Sequence, residues 1–532
     1  MRRTTAPISP TTKPSRERGG LIPRLLPALL LILLAAWFGF FFWHPIDLIP
    51  ADLGRHLTNG RIFLTEPANR AALLHTNFYS SATPEAPFVN HHWLTGVVFF
   101  AVFKLGGFPG LGLFHLLVNL ATFFLFFRLA VQRGGFRLAT LLTIVAVPLL
   151  AERTEIRPEI FSYLSLALYA TILDGYLTGR WRARVLALLV PVQIFWVNSH
   201  IYFFLGPALV GLYWLLAWGK KLPRPGMRRP LALLLAGTIG GSIINPSGLA
   251  GLFFPLKIFG NYAFVISENQ SVRDFFAAGR PYPNIWSFLV FALAVLIVAL
   301  IIYWKNRPAM LWGDQMLALL FGLWSVTAVR NFTLFGYAAV IALSGGLAAW
   351  RPAWGRQRFG YLFIGAILIA ALAGFSRVRT LIPETRLGVV KDNEGAADFI
   401  RAQDIKGPLF NDLDIGGYAI FHLYPALRPF VDNRPEAYPG DFLRQVFVPM
   451  QANPEEWNKQ LARFNFNVIL YSFEDRAPWA IPFIVNRLLD PAWAPVYADN
   501  FAIVLVRRNE QNAELIKKYE ISKERFSLQQ TK

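Results

Sequence analysis

Between Leu25 and Phe375 the chain returns repeatedly to apolar runs, many long enough to cross a bilayer, which takes roughly 20 residues as a helix. Apolar side chains make up 55% of the 532 residues and charged ones 16%, too greasy a balance for a soluble globular chain of this length. Beyond Phe375 the composition turns ordinary. The expectation is a polytopic α-helical membrane domain over 25–376 with about 11–13 membrane helices. A soluble α/β domain over 377–510 and a polar tail over 511–532 follow it.

The net charge of +20 does not point to nucleic acid, because the cations sit in short loops between the apolar runs. That is the positive-inside pattern, and it sets a topology. Residues 1–24 carry Arg2, Arg3, Lys13, Arg16, Arg18 and Arg24 among Pro, Ser and Thr, and read as a disordered cytosolic tail. Leu25–Trp43 is long for a signal-peptide core and reads as a retained first helix. A first outer loop, 44–92, emerges beyond it. Basic inner loops then recur at Arg128, Arg133 and Arg137, at Arg180–Arg184, at Lys220–Arg229, at Lys305 and Arg307, and at Arg351–Arg358. Residues 93–127 must cross an odd number of times, so 93–105 reads as an interfacial or re-entrant piece and 110–127 as a full crossing. About eleven crossings leave the C-terminal domain outside. The absence of cysteine rules out disulfides and thiolate metal sites.

From about 390 the periodicity changes. EGAADFIRAQ, PEEWNKQLARF and WAIPFIVNRLL read as amphipathic helices, and GPLFNDL, RPFVDN and FNVILYSF as short strands. WAPVYADNFAIVLVRR reads as a hairpin turning at Asp499-Asn500. Strands alternating with helices make a small α/β layer domain.

Polar residues of the membrane domain gather at one face. The outer loops hold PADLGRH, FVNHHW, LLAERTEIRPEIFSY, WVNSHIYF, INPSGL, ISENQSVRDFF and TAVRNFTLF, whereas the inner loops hold mainly Lys and Arg. Arg153, Arg157, Arg273 and Arg330 lie on the wrong side for the charge rule, and charge beside apolar helices is costly without a partner or a task. Either they pair with Glu152, Glu155, Glu159, Glu268 or Asp274, or they form an anion site for a lipid-linked phosphate. Asp52 and His56 are spaced i,i+4 and share one helix face, a placement suited to a general base. Asp52, His56, His91 and His92 are residue types that ligate a divalent ion, although His91 and His92 also fit as polar anchors beside Trp93. Asn198 and His200 end a helix at the outer face, and Asn245-Pro246 with Gly248 is a turn. Glu268, Asn269 and Gln270 can hydrogen-bond a polyhydroxylated substrate or only solvate a loop. In the soluble domain Asp412, Asp414, Asp432, Arg434 and Glu436 are concentrated in two motifs. Gly416-Gly417 lacks the lysine and spacing of a phosphate loop and reads as a tight turn into a helix.

The order of these motifs resembles the GT-C superfamily of membrane glycosyltransferases. More closely it is similar to a bacterial family of GT-C-like polytopic proteins with a C-terminal extracytoplasmic α/β domain. DLGRHLTNG, FYSSATPEAPFVNHHWL, RPEIFSYL, WVNSH, NPSG, VRNFTLF and FNDLDIGGYAIFHLYP…RPFVDNRPEAYP carry the resemblance over nearly the whole chain. It implies a transferase in the bacterial cytoplasmic membrane that moves a sugar from a polyprenyl-phosphate-type donor to an acceptor on the outer face. By the same resemblance Asp52 acts as the base; the departing phosphate needs cationic stabilisation, for which Arg153, Arg157 and Arg330 are the candidates. His56, His91, His92, Glu155, Asn198, His200, Glu268 and Asn331 complete the expected substrate-binding set. The loop over 44–92 holds no DxD pair, and its Asp47 and Asp52 lie five apart, unlike a metal-bound diphosphate site. A divalent cation, Mg or Mn, stays open, with Asp52, His56 and His91 as its candidate ligands. Two other readings stand beside the enzyme: a transporter or flippase of lipid-linked saccharide, and a non-catalytic membrane protein whose outer domain binds a partner.

Overall fold

The structure is a computed structural model that describes residues 21–218, 226–258, 267–279, 282, 284–305, 309–350, 357–379 and 386–526. Most of the expected basic tail and the basic positions Lys220, Lys221, Arg224, Arg307, Arg351 and Arg356 lie outside these residues.

The membrane domain is a bundle of apolar helices. After α1 (Leu21–Phe40) the chain folds into α2 (Leu53–Thr65) and α3 (Arg70–His75). There follow α4 (Trp93–Gly134), α5 (Phe136–Leu150), α6 (Glu159–Leu177), α7 (Leu189–Val197), α8 (Leu205–Trp218), α9 (Arg228–Ile243), α10 (Gly248–Ile258) and α11 (Val272–Ala277). The last four are α12 (Ile285–Trp304), α13 (Ala309–Thr327), α14 (Phe332–Trp350) and α15 (Gln357–Arg379). Among the described residues five helices are long and apolar enough to cross a membrane, and α9 with α10 makes a sixth candidate bent by 94°. The remaining apolar helices are shorter, among them Leu25–Phe40 and Phe136–Leu150.

Burial tells the centre from the rim. The span that contains α14 is 83% buried, against 39% for α12. Trp286, Val290, Leu293 and Leu300 of α12 are exposed, which in lipid costs nothing because the solvent is as apolar as the side chain. Aromatic pairs lock the centre: Phe38 on Phe123 at 4.6 Å, Phe126 on Tyr337 at 4.4 Å and Phe288 on Phe332 at 4.5 Å. Residues 93–134 break at Gly107, where φ is 59°, a conformation that glycine adopts without strain. Pro109 follows it. A short helix therefore precedes the long one.

The C-terminal domain is a four-stranded sheet in the order β1-β2-β4-β3, with β1 (Leu409–Asn411), β2 (Val468–Ser472), β3 (Trp493–Ala498) and β4 (Ala502–Arg507). β1 and β2 are parallel and the other pairs antiparallel. Helices α16 (Gly395–Ala402) and α17 (Gly416–Leu423) flank β1 in sequence. The hairpin turns at Asp499, whose Oδ1 accepts from Phe501 N–H and Ala502 N–H. RPFVDN does not form the expected strand. Its backbone is satisfied by the Asn411 amide, which accepts from Phe430 N–H and donates to Val431 O, so no ladder is needed. Part of the expected tail also joins the domain: Asn512 Nδ2 donates to Asn467 Oδ1, and Ile521 N–H donates to Pro495 O.

The two domains meet across α2. Helix α2 presses Gly60 against Gly96 of α4 and Gly54 against Gly417 of α17. Arg434 pins the contact from the other side. It is 2% exposed and clasps Asp432 with two hydrogen bonds of 2.7 Å, while Nη2 also donates to Asn77 Oδ1 in the segment between α3 and α4. Phe88 lies 4.8 Å beneath its guanidinium.

Candidate active site

One open cleft collects the polar residues where the ends of the helices meet the C-terminal domain. Its first wall is the start of α2. His56 N–H donates to Asp52 O at 3.1 Å, so the helical turn places Asp52, Arg55 and His56 together. Arg55 is 3% exposed, and its Nη2 lies 3.7 Å from Asp52 Oδ2 and 3.5 Å from His56 Nε2. Its Nε–H donates to Asn433 Oδ1 at 3.4 Å. Asn433, Pro435 and Glu436 bring the C-terminal domain over this wall.

The second wall is an ion-pair cluster. Arg153 holds Glu159 through Nε at 3.0 Å and Glu268 through Nη1 at 2.6 Å. Arg157 bonds Glu155 at 2.5 Å and Glu268 at 3.1 Å. Arg330 bonds Glu159 at 3.1 Å and Asn269 at 2.9 Å, and lies over the Tyr202 ring. The arginines are thus paired with Glu155, Glu159 and Glu268, the first of the two alternatives. Two donors stay open: Arg330 Nε is buried without a hydrogen-bond partner, and Arg157 donates through Nε and Nη1 only among the described residues. Arg273 is exposed on α11, away from the cleft lining.

Four imidazoles back the cleft. His91 and His92 rings lie 3.8 Å apart, His56 and His92 5.5 Å, and His92 stacks on His200 at 5.4 Å. His200 Nδ1 is 2.6 Å from Ser162 Oγ, which accepts from Trp196 Nε1. Burial pushes His91 down to about 4 against the opposing Val89 carbonyl, His200 down to about 3, and His56 and His92 well below the usual range. All four are neutral at pH 7.

The carboxylates divide by environment. Burial raises Asp52, opposed first by Arg55 and then by Arg157. Burial also works to raise Glu268, but Arg153, Arg157 and Arg330 outweigh it and hold the group well below its ordinary value. Glu436 is raised by burial against Arg55 and Arg434. Beside the cleft, burial and the charges of Asp475 and Asp52 push Asp414 up to about 7. The site therefore sets a carboxylate raised by burial, Asp52, beside a wall of fixed guanidinium groups.

Of the residues singled out in the sequence, Asp52, His91, His92, Arg157, His200, Glu268 and Arg330 line the cleft. His56 and Arg153 stand directly behind it, and Glu155 is an outer partner of Arg157. Two stand apart: Asn198 accepts from Trp93 Nε1 and donates to the Ile194 and Ile244 carbonyls, and Asn331 accepts from Tyr202 Oη. Arg55, Glu159, Tyr202, Asn269, Asn433 and Glu436 also line it, although none was in the expected set. Arg55 lay between two expected residues, and the charge-dense RPFVDNRPEAYP signalled Asn433 and Glu436.

No family model and no curated protein matches the sequence. Solved structures share its fold. The archaeal oligosaccharyltransferase AglB from Archaeoglobus fulgidus, in complex with an inhibitory peptide and a dolichol-phosphate, superposes with TM-score 0.60 at 11% identity, over 91% of this chain and 74% of that one. An Archaeoglobus fulgidus oligosaccharyltransferase in complex with Zn and sulfate gives 0.53 at 12% identity, over 91% and 73%. Mycobacterial arabinofuranosyltransferase AftD gives 0.50 at 15% identity, over 91% of this chain but 41% of its own. The expected GT-C architecture is borne out as a fold.

The zinc in one of those structures prompts a test of the candidate ligands in this chain. Among the described residues no group of three or more His, Asp or Glu is placed to hold a metal ion. Arg55 stands within 4 Å of both Asp52 and His56, and His91 turns Nδ1 to its own Val89 carbonyl at 3.1 Å. The set Asp52, His56 and His91 does not fit an ion.

Proposed function

We propose that this chain is a membrane glycosyltransferase that moves a sugar from a polyprenyl-phosphate-type lipid to an acceptor on the outer face of the bacterial cytoplasmic membrane. The observation that carries the reading is the meeting of Asp52 with Arg157 and Arg330 in one cleft at the outer helix ends. The dolichol-phosphate bound by AglB supports a lipid phosphate as the donor. The N-terminus is cytosolic and the C-terminal domain extracytoplasmic by the charge pattern.

The acceptor oxygen attacks the anomeric carbon and gives its proton to the Asp52 carboxylate. The bond from that carbon to the phosphate oxygen breaks, and its electron pair stays on the lipid phosphate. Burial of Asp52 raises its basicity, and a base works best when its pKa approaches the working pH. The open Arg157 and Arg330 donors meet the charge that develops on the phosphate. Fixed guanidinium groups cost no reorganisation at that moment, because Glu159 and Glu268 already hold them. A transporter is less well supported: its substrate site belongs near the bilayer midplane, whereas this cleft lies at the helix ends under a soluble domain.

The test is native mass spectrometry on protein purified in mild detergent, comparing wild type with Arg157→Ala, followed by transfer assays on Asp52→Asn. A co-purifying polyprenyl phosphate or its glycosylated form, weakened in Arg157→Ala, with transfer lost in folded Asp52→Asn, is the expected result. Equal amounts of ordinary phospholipid in both proteins, or full transfer by Asp52→Asn, would overturn it.

A further inference from the structure

Arg55 holds a position that the mechanism above does not use. Its guanidinium is 3% exposed, yet it lines the cleft. It faces Asp52 at 3.7 Å, His56 Nε2 at 3.5 Å and, through Nε, Asn433 Oδ1 at 3.4 Å. A carboxylate, an imidazole nitrogen and an amide oxygen are the oxygen and nitrogen donors that divalent ions take from proteins. Here all three are turned toward a permanent cation of this chain instead.

We propose that Arg55 is the resident cation of the cleft: it takes the place among Asp52, His56 and Asn433 that a divalent ion would need, and sugar transfer runs without such an ion. Three features keep it there. Arginine stays charged at every relevant pH. The turn from Asp52 to His56 fixes where its stem leaves the backbone, and Gly54, against Gly417, lets the C-terminal domain close over it. Withdrawing it would leave Asp52 unpaired, since Arg55 is the one salt-bridge partner of Asp52 among the described residues. As a substrate-facing group, Arg55 orients the Asp52 carboxylate for the acceptor proton. His56, held neutral by burial, accepts from it without adding charge. The inference rests on the proposed transferase reading for its chemistry, but the place of the cation can be measured without a sugar donor.

The experiment titrates Mn2+ into the purified full chain and reads bound metal by electron paramagnetic resonance and elemental analysis. Wild type and Arg55→Lys should hold no stoichiometric Mn2+. Arg55→Ala should bind it at least tenfold more tightly than wild type, and Arg55→Ala with Asp52→Asn should lose that gain. In transfer assays, wild type should keep its activity in EDTA. One Mn2+ per wild-type chain, released by Asp52→Asn, would overturn the assignment. So would Arg55→Ala binding no more tightly than wild type, or transfer abolished by EDTA and restored by Mn2+. Arg55→Lys and the wild type decide the matter if the alanine variant does not fold. Absence of transfer by the wild type, together with Mn2+ gained in Arg55→Ala, would defeat the functional reading and leave the cation's place standing.

Discussion

Gly54 of α2 and Gly417 of α17 meet backbone to backbone: a Cβ on Gly54 would stand 2.6 Å from Gly417 O and 2.9 Å from Phe421 Cβ. This contact seats the C-terminal domain on α2, two residues from Asp52. Contacts that short force the backbone apart, a strain of about 1–3 kcal/mol. Gly54→Ala should therefore lower the thermal midpoint in detergent and reduce transfer. Limited proteolysis should cut more readily between the two domains. An unchanged midpoint and cleavage pattern would show that the contact is not tight.

Arg153 and Arg157 should separate into a structural and a functional arginine. Arg153 spends all three guanidinium nitrogens on Glu159 and Glu268. Removing it takes three hydrogen bonds from Glu159 and Glu268 and leaves only Arg330 on the first and Arg157 and Arg330 on the second; breaking a buried pair costs up to about 3–5 kcal/mol. Arg157 pairs with Glu155, whose side chain is 53% exposed, and with Glu268, which keeps Arg153 when Arg157 is removed; exposed pairs contribute only about 0–1 kcal/mol. Arg153→Ala should unfold many degrees earlier, and Arg157→Ala should stay folded while losing lipid phosphate. Thermal unfolding in parallel with lipid phosphate analysis checks both.

The histidine cluster sets an acid limit. His91 is pushed down to about 4 and His200 to about 3, and burial is the main cause in both. An unfolded histidine titrates near 6.5, so below that pH the unfolded chain binds protons that the folded one refuses. Stability is then fully present above about pH 6.5 and falls as the pH drops toward 4. His91→Gln should flatten that fall. Unfolding midpoints taken at half-unit steps from pH 7.5 to 4 test the sign: a midpoint that rises on acidification contradicts it, unless Asp414→Asn abolishes the rise, since Asp414, pushed up to about 7, titrates in the opposite sense.

Much of this was legible before the fold was known. The apolar runs and the loop cations located the helices, because lipid leaves a spanning backbone few choices. Asp52, Arg157 and Arg330 stood out because charges beside apolar helices demand a reason. What could not be read was partnership. Whether Arg153 faces Glu159 or a ligand depends on how helices rotate about their axes, and an apolar run says little about rotation. Asn433 and Glu436 reach the cleft from the far end of the chain, through a contact made by glycines. RPFVDN looked like a strand because its composition is β-like, but Asn411 satisfies its backbone instead. Asn198 and Asn331 looked like ligands, but they serve carbonyls, an indole and a phenol, which polar groups at helix ends often do.

The helix bundle also carries a charge lock that the proposed chemistry does not need. Arg133 at the end of α4 bonds Asp314 of α13 at 2.5 Å and Asp174 of α6 at 2.6 Å, and Arg180 also pairs with Asp174. Both aspartates are more than nine-tenths buried. Removing one member leaves a buried charge unpaired, whereas replacing the whole set by apolar groups of similar size is often neutral or stabilising. Arg133→Leu alone should thus cost about 3–5 kcal/mol. Arg133→Leu combined with Asp174→Leu and Asp314→Leu should recover most of that loss and keep sugar transfer. Unfolding midpoints of the single and triple variants decide it. If the triple variant is no more stable than the single one, the three helices depend on the ion pairs themselves. If it is stable but inactive, these charges take part in the reaction cycle after all.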